Sequence, residues 1–197
     1  MGLFDLKDKT ESEEELDRLM KSLSVDVGAE EIDYRYLTIE QIDEISSDEL
    51  VKAVCIWINR KMDDGEEEGI SRIDTLNGLP TPCGLVYSIK KLIDEFELNG
   101  FNKFYESPLN ADYIDLAADG FRALGEYDLT EICEQSKEKY LKLCKKYGED
   151  YFSEFLNDYG NNALTDLDFE FETIIAKKDL NRLLVNYIRG NSDDFGD

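Results

Sequence analysis

Histidine is absent from this chain. That excludes Ser-His-Asp and Cys-His nucleophilic catalysis and every His-based metal site. Cysteine is scarce: Cys55, Cys83, Cys133 and Cys144 make no CxxC pair, so neither a zinc knuckle nor a thioredoxin-type motif is written here. Free thiols in a reducing compartment are expected. No long apolar run occurs, so neither a membrane span nor a signal peptide is expected, and Met1-Gly2 lacks the Ser or Thr at position 6 of a myristoylation signal, which is Leu6 here. A cytoplasmic location follows as the expectation. Gly-rich phosphate loops and nucleophile motifs are also missing, and no cofactor or metal is expected.

Basic residues are few. There are 22 Lys and Arg against 46 Asp and Glu in 197 residues, a net charge of −24. Such a surface repels nucleic acid and anionic membranes and attracts basic partners. The expected partner is therefore a basic protein, with no direct nucleic-acid or membrane contact. Hydrophobic residues are 42% and aromatics 11%, which sets the chain apart from disordered acidic polymers. The charge is uneven: residues 1–50 hold 16 acids and 5 bases, a net of −11. Residues 1–45 read as an acidic N-terminal arm or short helices, with a Leu16, Leu19, Met20, Leu23 stripe, and residues 46–197 as the domain.

The stretch from Thr81 organises that domain. Thr81 and Pro82 suit a helix start, and Leu85, Ile89, Leu92 and Phe96 recur at helical steps. Asn99-Gly100 is expected to end the helix, with Phe101, Phe104 and Tyr105 anchoring the turn. Upstream, Thr38 to Gln41 has the form of a capping box. Ser46 or Ser47 starts a helix reaching about Met62, and Asp63 to Gly69 reads as a solvated turn without the ligand spacing of an EF-hand. Downstream, Tyr113, Ile114, Ala117, Ala118 and Phe121 mark one helix. Leu129, Ile132, Cys133, Ser136, Tyr140 and Cys144 mark the next, capped by Asp128. Tyr151, Phe152, Phe155 and Leu156 suggest a short aromatic helix. Asp166 to Glu172 alternates like a strand, but Phe171, Ile174, Leu183, Leu184 and Tyr187 continue at helical spacing and favour one helix. Asn191 to Asp197 is polar and expected to fray. The fold class is all-α: a single helical domain of about six to eight helices with an acidic N-terminal extension.

Gly78-Leu79-Pro80, Val86-Tyr87, Glu97-Leu98-Asn99-Gly100-Phe101 and Phe104-Tyr105 resemble the bacterial DNA-mimic protein family. Ala123-Leu124-Gly125, Phe171, Leu183-Leu184 and Tyr187-Ile188 resemble its later blocks, so the likeness covers about residues 46 to 195. The turn at Glu97, Asn99, Gly100 and Phe101 is its motif. The resemblance implies a small helical domain whose carboxylates stand in for DNA phosphates and occupy a DNA-binding protein. Independently, two triads fall on helix faces away from the expected core: Asp112, Asp115 and Asp119, and Glu131, Glu134 and Glu138. Residues three or four apart on a helix lie about 5–6 Å from each other, a spacing that can follow a phosphate track; the ordinary alternative is a solvated face. A second function class is an antidote that plugs a toxin or nuclease. A third is a carboxylate-based enzyme using Glu95 and Glu97, whose positions point about 200° apart on a helix and so do not converge.

Overall fold

Helices account for all the regular structure of a computed structural model, which describes residues 32–107, 110–148 and 164–197. Among the described residues there are eight α-helices: α1 (Ile39–Glu44), α2 (Ser47–Glu67), α3 (Arg72–Gly78), α4 (Thr81–Phe104), α5 (Asn110–Ala123), α6 (Tyr127–Tyr147), α7 (Thr165–Ile175) and α8 (Leu180–Gly190). Short 3-10 turns at Tyr34–Tyr36 and Ser192–Asp194 bracket them. Residues Tyr34–Asp197 form one compact unit, and Leu37, Ile42 and Ile45 are buried within it. The expected stripe at Leu16 to Leu23 and the aromatic segment at Tyr151 to Leu156 lie outside the described residues.

The central helix is α4. Its expected face is buried: Leu85, Val86, Ile89, Leu92 and Phe96 all lie in the core. Pro80, not Thr81, is the N-cap residue, and no side chain caps the first amides. The antiparallel neighbour α5 packs along α4, and α6 packs along α5. Ala117 and Ala118 are buried there as expected, but the closest approach is at Gly120. A Cβ at Gly120 would sit 2.7 Å from Ile89 Cδ1 and 3.1 Å from the Leu85 carbonyl, so the α4–α5 crossing has no room for a side chain.

Four boundaries differ from the sequence reading. First, α4 does not stop at Asn99-Gly100 but runs on to Phe104. Gly100 takes φ +66° and turns the Phe101 amide toward Asp168 Oδ1, 2.8 Å away. The local break is thus bridged by a side chain, and the helix resumes. Second, α2 extends through Asp63 to Glu67, where a solvated turn was expected. Arg72 ties that last turn down, donating to Asp63, to Glu66 at 3.0 Å and to Asn59 Oδ1 at 2.8 Å. The ladder closes with the Gly69 and Ile70 amides on the Glu66 and Gly65 carbonyls at 3.0 and 2.9 Å. Third, the single closing helix is two, α7 and α8, separated at Ala176 to Asp179, and the Asp179 carboxylate accepts from the Arg182 amide at 3.0 Å. Residues 166–172 are helical, as the longer periodicity favoured.

Fourth, the last residues are docked. Phe195 is fully buried, the Asp197 amide donates to the Leu37 carbonyl at 2.9 Å, and the Asp197 carboxylate meets Trp57, Arg60 and Lys61. One apolar residue, Phe195, supplies the burial that a polar seven-residue segment otherwise lacks. Two smaller expectations also shift. Helix α3 has no counterpart in the sequence reading; Ser71 caps it by accepting from the Asp74 amide at 3.2 Å. Glu126, not Asp128, holds the N-cap position of α6, and no side chain caps its first amides. The Thr38 capping box is present, with the Thr38 amide donating to Gln41 Oε1 at 3.0 Å.

Phe101, Phe104 and Tyr105 are buried, as expected of an anchor. Phe101 and Tyr105 also find ring partners later in the chain. Phe171 of α7 lies 4.6 Å from Phe96 and 5.3 Å from Phe101 between ring centroids. Tyr140 of α6 stacks on Tyr105 at 4.3 Å and 8°. Such ring pairs contribute about 0.5–1.5 kcal/mol each beyond their buried area. The end of α4 is therefore where α6 and α7 are fastened.

Candidate functional site

Helices α5 and α6 bury one side and leave the other in water. Asp112, Asp115 and Asp119 on α5 and Glu131, Glu134 and Glu138 on α6 are all exposed, each on the face opposite buried Ile114, Ala118, Ile132 and Ser136. The helix faces anticipated from spacing are thus present. Their surroundings were not anticipated. Lys137 reaches across to Asp115, and Arg122 holds Asp119 and, at 2.6 Å, Glu134. Lys142 pairs with Glu138 at 2.6 Å, and Gln135 donates to Glu131 at 3.0 Å. Asp112 has no cation partner among the described residues. The surface is therefore a lattice of acids with bases set between them. Asp119–Arg122 and Glu138–Lys142 follow helical spacings readable in the sequence. Asp115–Lys137 and Arg122–Glu134 join two helices and needed the packing.

A second set of acids, where Arg189 donates to the Ile45 carbonyl at 3.3 Å, has no ion-pair partner among the described residues. Glu40, Asp43 and Glu44 on α1 and Asp48 at the start of α2 are exposed and unpaired among the described residues. Helix α1 is only six residues long, too short for periodicity to announce a face.

The motif around Glu97, Asn99, Gly100 and Phe101 resolves into a packing device beside a groove. A Cβ on Gly100 would lie 2.7 Å from Asp168 Cγ, so only glycine lets the carboxylate reach the Phe101 amide. Glu97 is exposed on the rim of a cavity of about 800 Å³ bounded by α2, α4, α7 and α8. Glu95 sits on the other flank of α4, paired with Lys91 at 3.4 Å, beside a separate hollow of about 280 Å³. These two glutamates do not share a site, as their spacing implied.

Reactive groups in the interior are quenched. All four cysteines are free. Burial pushes the Cys55 thiol up to about 12, with smaller opposing contributions from Lys90 and Asp94, and pushes Cys83 up to about 12 as well. Thiolates are the nucleophilic form, so these thiols are inert at neutral pH. Burial also raises the Tyr105 phenol, which shares a hydrogen bond of 2.9 Å with Ser136. Among the described residues no cluster of three or more Cys, Asp and Glu is arranged to hold a metal ion, and no helix is long and apolar enough to cross a membrane.

An all-α scaffold bearing acidic helix faces is the class that fold and surface define. Residues 77–191 match the DMP19-like protein family, and the chain belongs to that family of DNA-mimic proteins. No curated protein and no solved structure matches it.

Proposed function

We propose that this chain is an interaction module that occupies a basic, DNA-binding protein by presenting carboxylates where DNA presents phosphates. The observation that carries this reading is the pair of exposed triads on adjacent helices, Asp112, Asp115, Asp119 and Glu131, Glu134, Glu138, in a member of a DNA-mimic family. Duplex DNA carries one charge per about 3.4 Å along each strand, and carboxylates one helical turn apart offer a comparable, slightly sparser track. Arg122, Lys137 and Lys142 pair with the carboxylates when the partner is absent, and a partner's own Lys and Arg exchange with them. Exposed ion pairs are weak, about 0–1 kcal/mol each, so this exchange costs little.

The test is capture from a lysate of the native host, with the purified chain as bait and rising salt as eluent. A basic DNA-binding protein, released by salt and displaced by duplex DNA, is the expected result. Recovery of a salt-resistant nuclease or toxin overturns mimicry in favour of an antidote. Failure to retain any specific partner at low salt overturns it too.

A further inference from the structure

The groove beside the α4 motif has two properties that the flat α5–α6 face lacks. Its floor is apolar: Val51, Phe96 and Leu184 are almost fully buried beneath it, and Ile93 and Ile175 stand half-buried at its walls. Its uncommitted charge is all of one sign. The two bordering lysines are taken, Lys90 by Asp94 and Lys178 by Glu126 at 2.6 Å, and Asp168 holds the Phe101 amide. Glu97 from α4 and Glu172 from α7 remain exposed on the rim with no cation partner among the described residues. An apolar floor between unpaired carboxylates is complementary to a segment that is both apolar and basic. Lysine and arginine lay their methylene stems on such a floor while their heads stay at the wet rim.

The geometry points to this groove as the seat of one amphipathic, basic segment of the partner protein, its apolar side chains on Phe96 and Leu184 and its cations at Glu97 and Glu172. The inference rests on the proposed function for the basic character of the partner, and adds where that partner is anchored. The acidic helix faces then steer and orient, whereas the groove supplies desolvated contact, the part of an interface that concentrates binding energy.

The probe is a short synthetic helical peptide of Leu and Lys, compared with a Ser and Lys peptide of equal charge, titrated into the full chain at moderate salt. The Leu/Lys peptide binds more tightly than its Ser counterpart. The Glu97→Gln/Glu172→Gln chain binds the Leu/Lys peptide about tenfold more weakly, the sum of two partly screened ion pairs. Ala176→Trp, at an exposed position on the groove wall, weakens it by at least as much. Glu67→Gln/Glu68→Gln, which removes the same charge from exposed positions at the far end of α2, changes it less than twofold. Circular dichroism of each variant confirms that the fold is kept. Equal losses for the groove pair and the Glu67/Glu68 pair, or undiminished binding by Ala176→Trp, overturn the groove and leave a diffuse charged surface intact. If Ala176→Trp still captures a DNA-displaceable partner from lysate at full affinity, the groove falls while the proposed function stands.

Discussion

Asp168 and Glu134 are both helix carboxylates, and they lead different lives. Asp168 is half-buried at the α4–α7 junction, seated against Gly100 and accepting from the Phe101 amide at 2.8 Å. Glu134 is exposed on α6 and held by Arg122 at 2.6 Å. The first is a structural part: removing it strands a backbone donor, which costs about 1–3 kcal/mol when the donor is buried. The second is replaceable, because water or another cation can take over either partner. A net charge of −24 counts the two alike. Which acids are available to a partner is decided by their neighbours, and the two regions separate under mutation.

The largest expected effect is at the junction. Phe101 is fully buried against Phe96, Tyr105 and Phe171, so Phe101→Ala should lower stability by about 3–5 kcal/mol, the range for emptying an aromatic site. Urea unfolding measures it, and a loss below about 1 kcal/mol would mean that the ring cluster does not fasten α7. Gly100→Ala sharpens the point with a single methyl. It adds the cost of a left-handed backbone for a non-glycine residue, about 1–3 kcal/mol, to a clash at 2.7 Å with the Asp168 carboxyl. A loss of about 2–3 kcal/mol is expected, and an unchanged midpoint would show that Asp168 has another seat.

The contrast also marks what the sequence could tell. Helical class, the buried stripe of α4 and the exposed faces of α5 and α6 were legible, because each rests on i, i+3, i+4 spacing within one element. The helix end expected at Asn99-Gly100 was not there. Local propensity favours a stop at that dipeptide, and a carboxylate 67 residues onward supplies the missing acceptor. The docked end of the chain escaped for the same reason. Nothing near Phe195 predicts that it fills a gap beside Leu37 and α1, or that Asp197 meets cations more than 130 positions earlier. At the candidate site, same-helix pairs such as Asp119–Arg122 could have been read, whereas Lys137–Asp115 and Arg122–Glu134 belong to helix packing. The Asp112 to Asp119 and Glu131 to Glu138 triads were found as positions, and their counter-charges were not.

Asp197 lies between the two extremes, an exposed acid with structural partners. Burial raises its pKa, but hydrogen bonds and charge from Lys61, Trp57 and Arg60 outweigh that and hold it below the ordinary carboxylate value. A carboxylate depressed in the folded state adds stability above its unfolded pKa, and that stability is lost as the pH falls through its folded pKa. The docking of this segment should therefore loosen in the acid range below ordinary carboxylate titration and be insensitive to pH near neutrality. Trp57 is the only tryptophan and its Nε1 donates to Asp197 Oδ1 at 3.4 Å, so its fluorescence follows the event. In Asp197→Asn this acid transition should vanish. Its persistence would assign the change to another group and move Asp197 to the replaceable class.

The smallest effect on stability is expected on α6, where the readout is partner association and its salt dependence. Glu131→Gln/Glu134→Gln/Glu138→Gln removes three exposed charges. Arg122 keeps Asp119, so no cation is left stranded inside the protein. Each substitution should change stability by no more than about 0.5 kcal/mol, in contrast to Gly100→Ala. Association with a basic DNA-binding partner should weaken, and the dependence of its logarithm on salt should become shallower, because fewer paired charges exchange ions on binding. A triple variant that unfolds with its stability much reduced would place these glutamates with Asp168 as structural acids. One that binds with an unchanged salt slope would take the α6 face out of the interface and leave the unpaired acids at Glu40, Asp43, Glu44 and Asp48 as the surface that a basic partner meets.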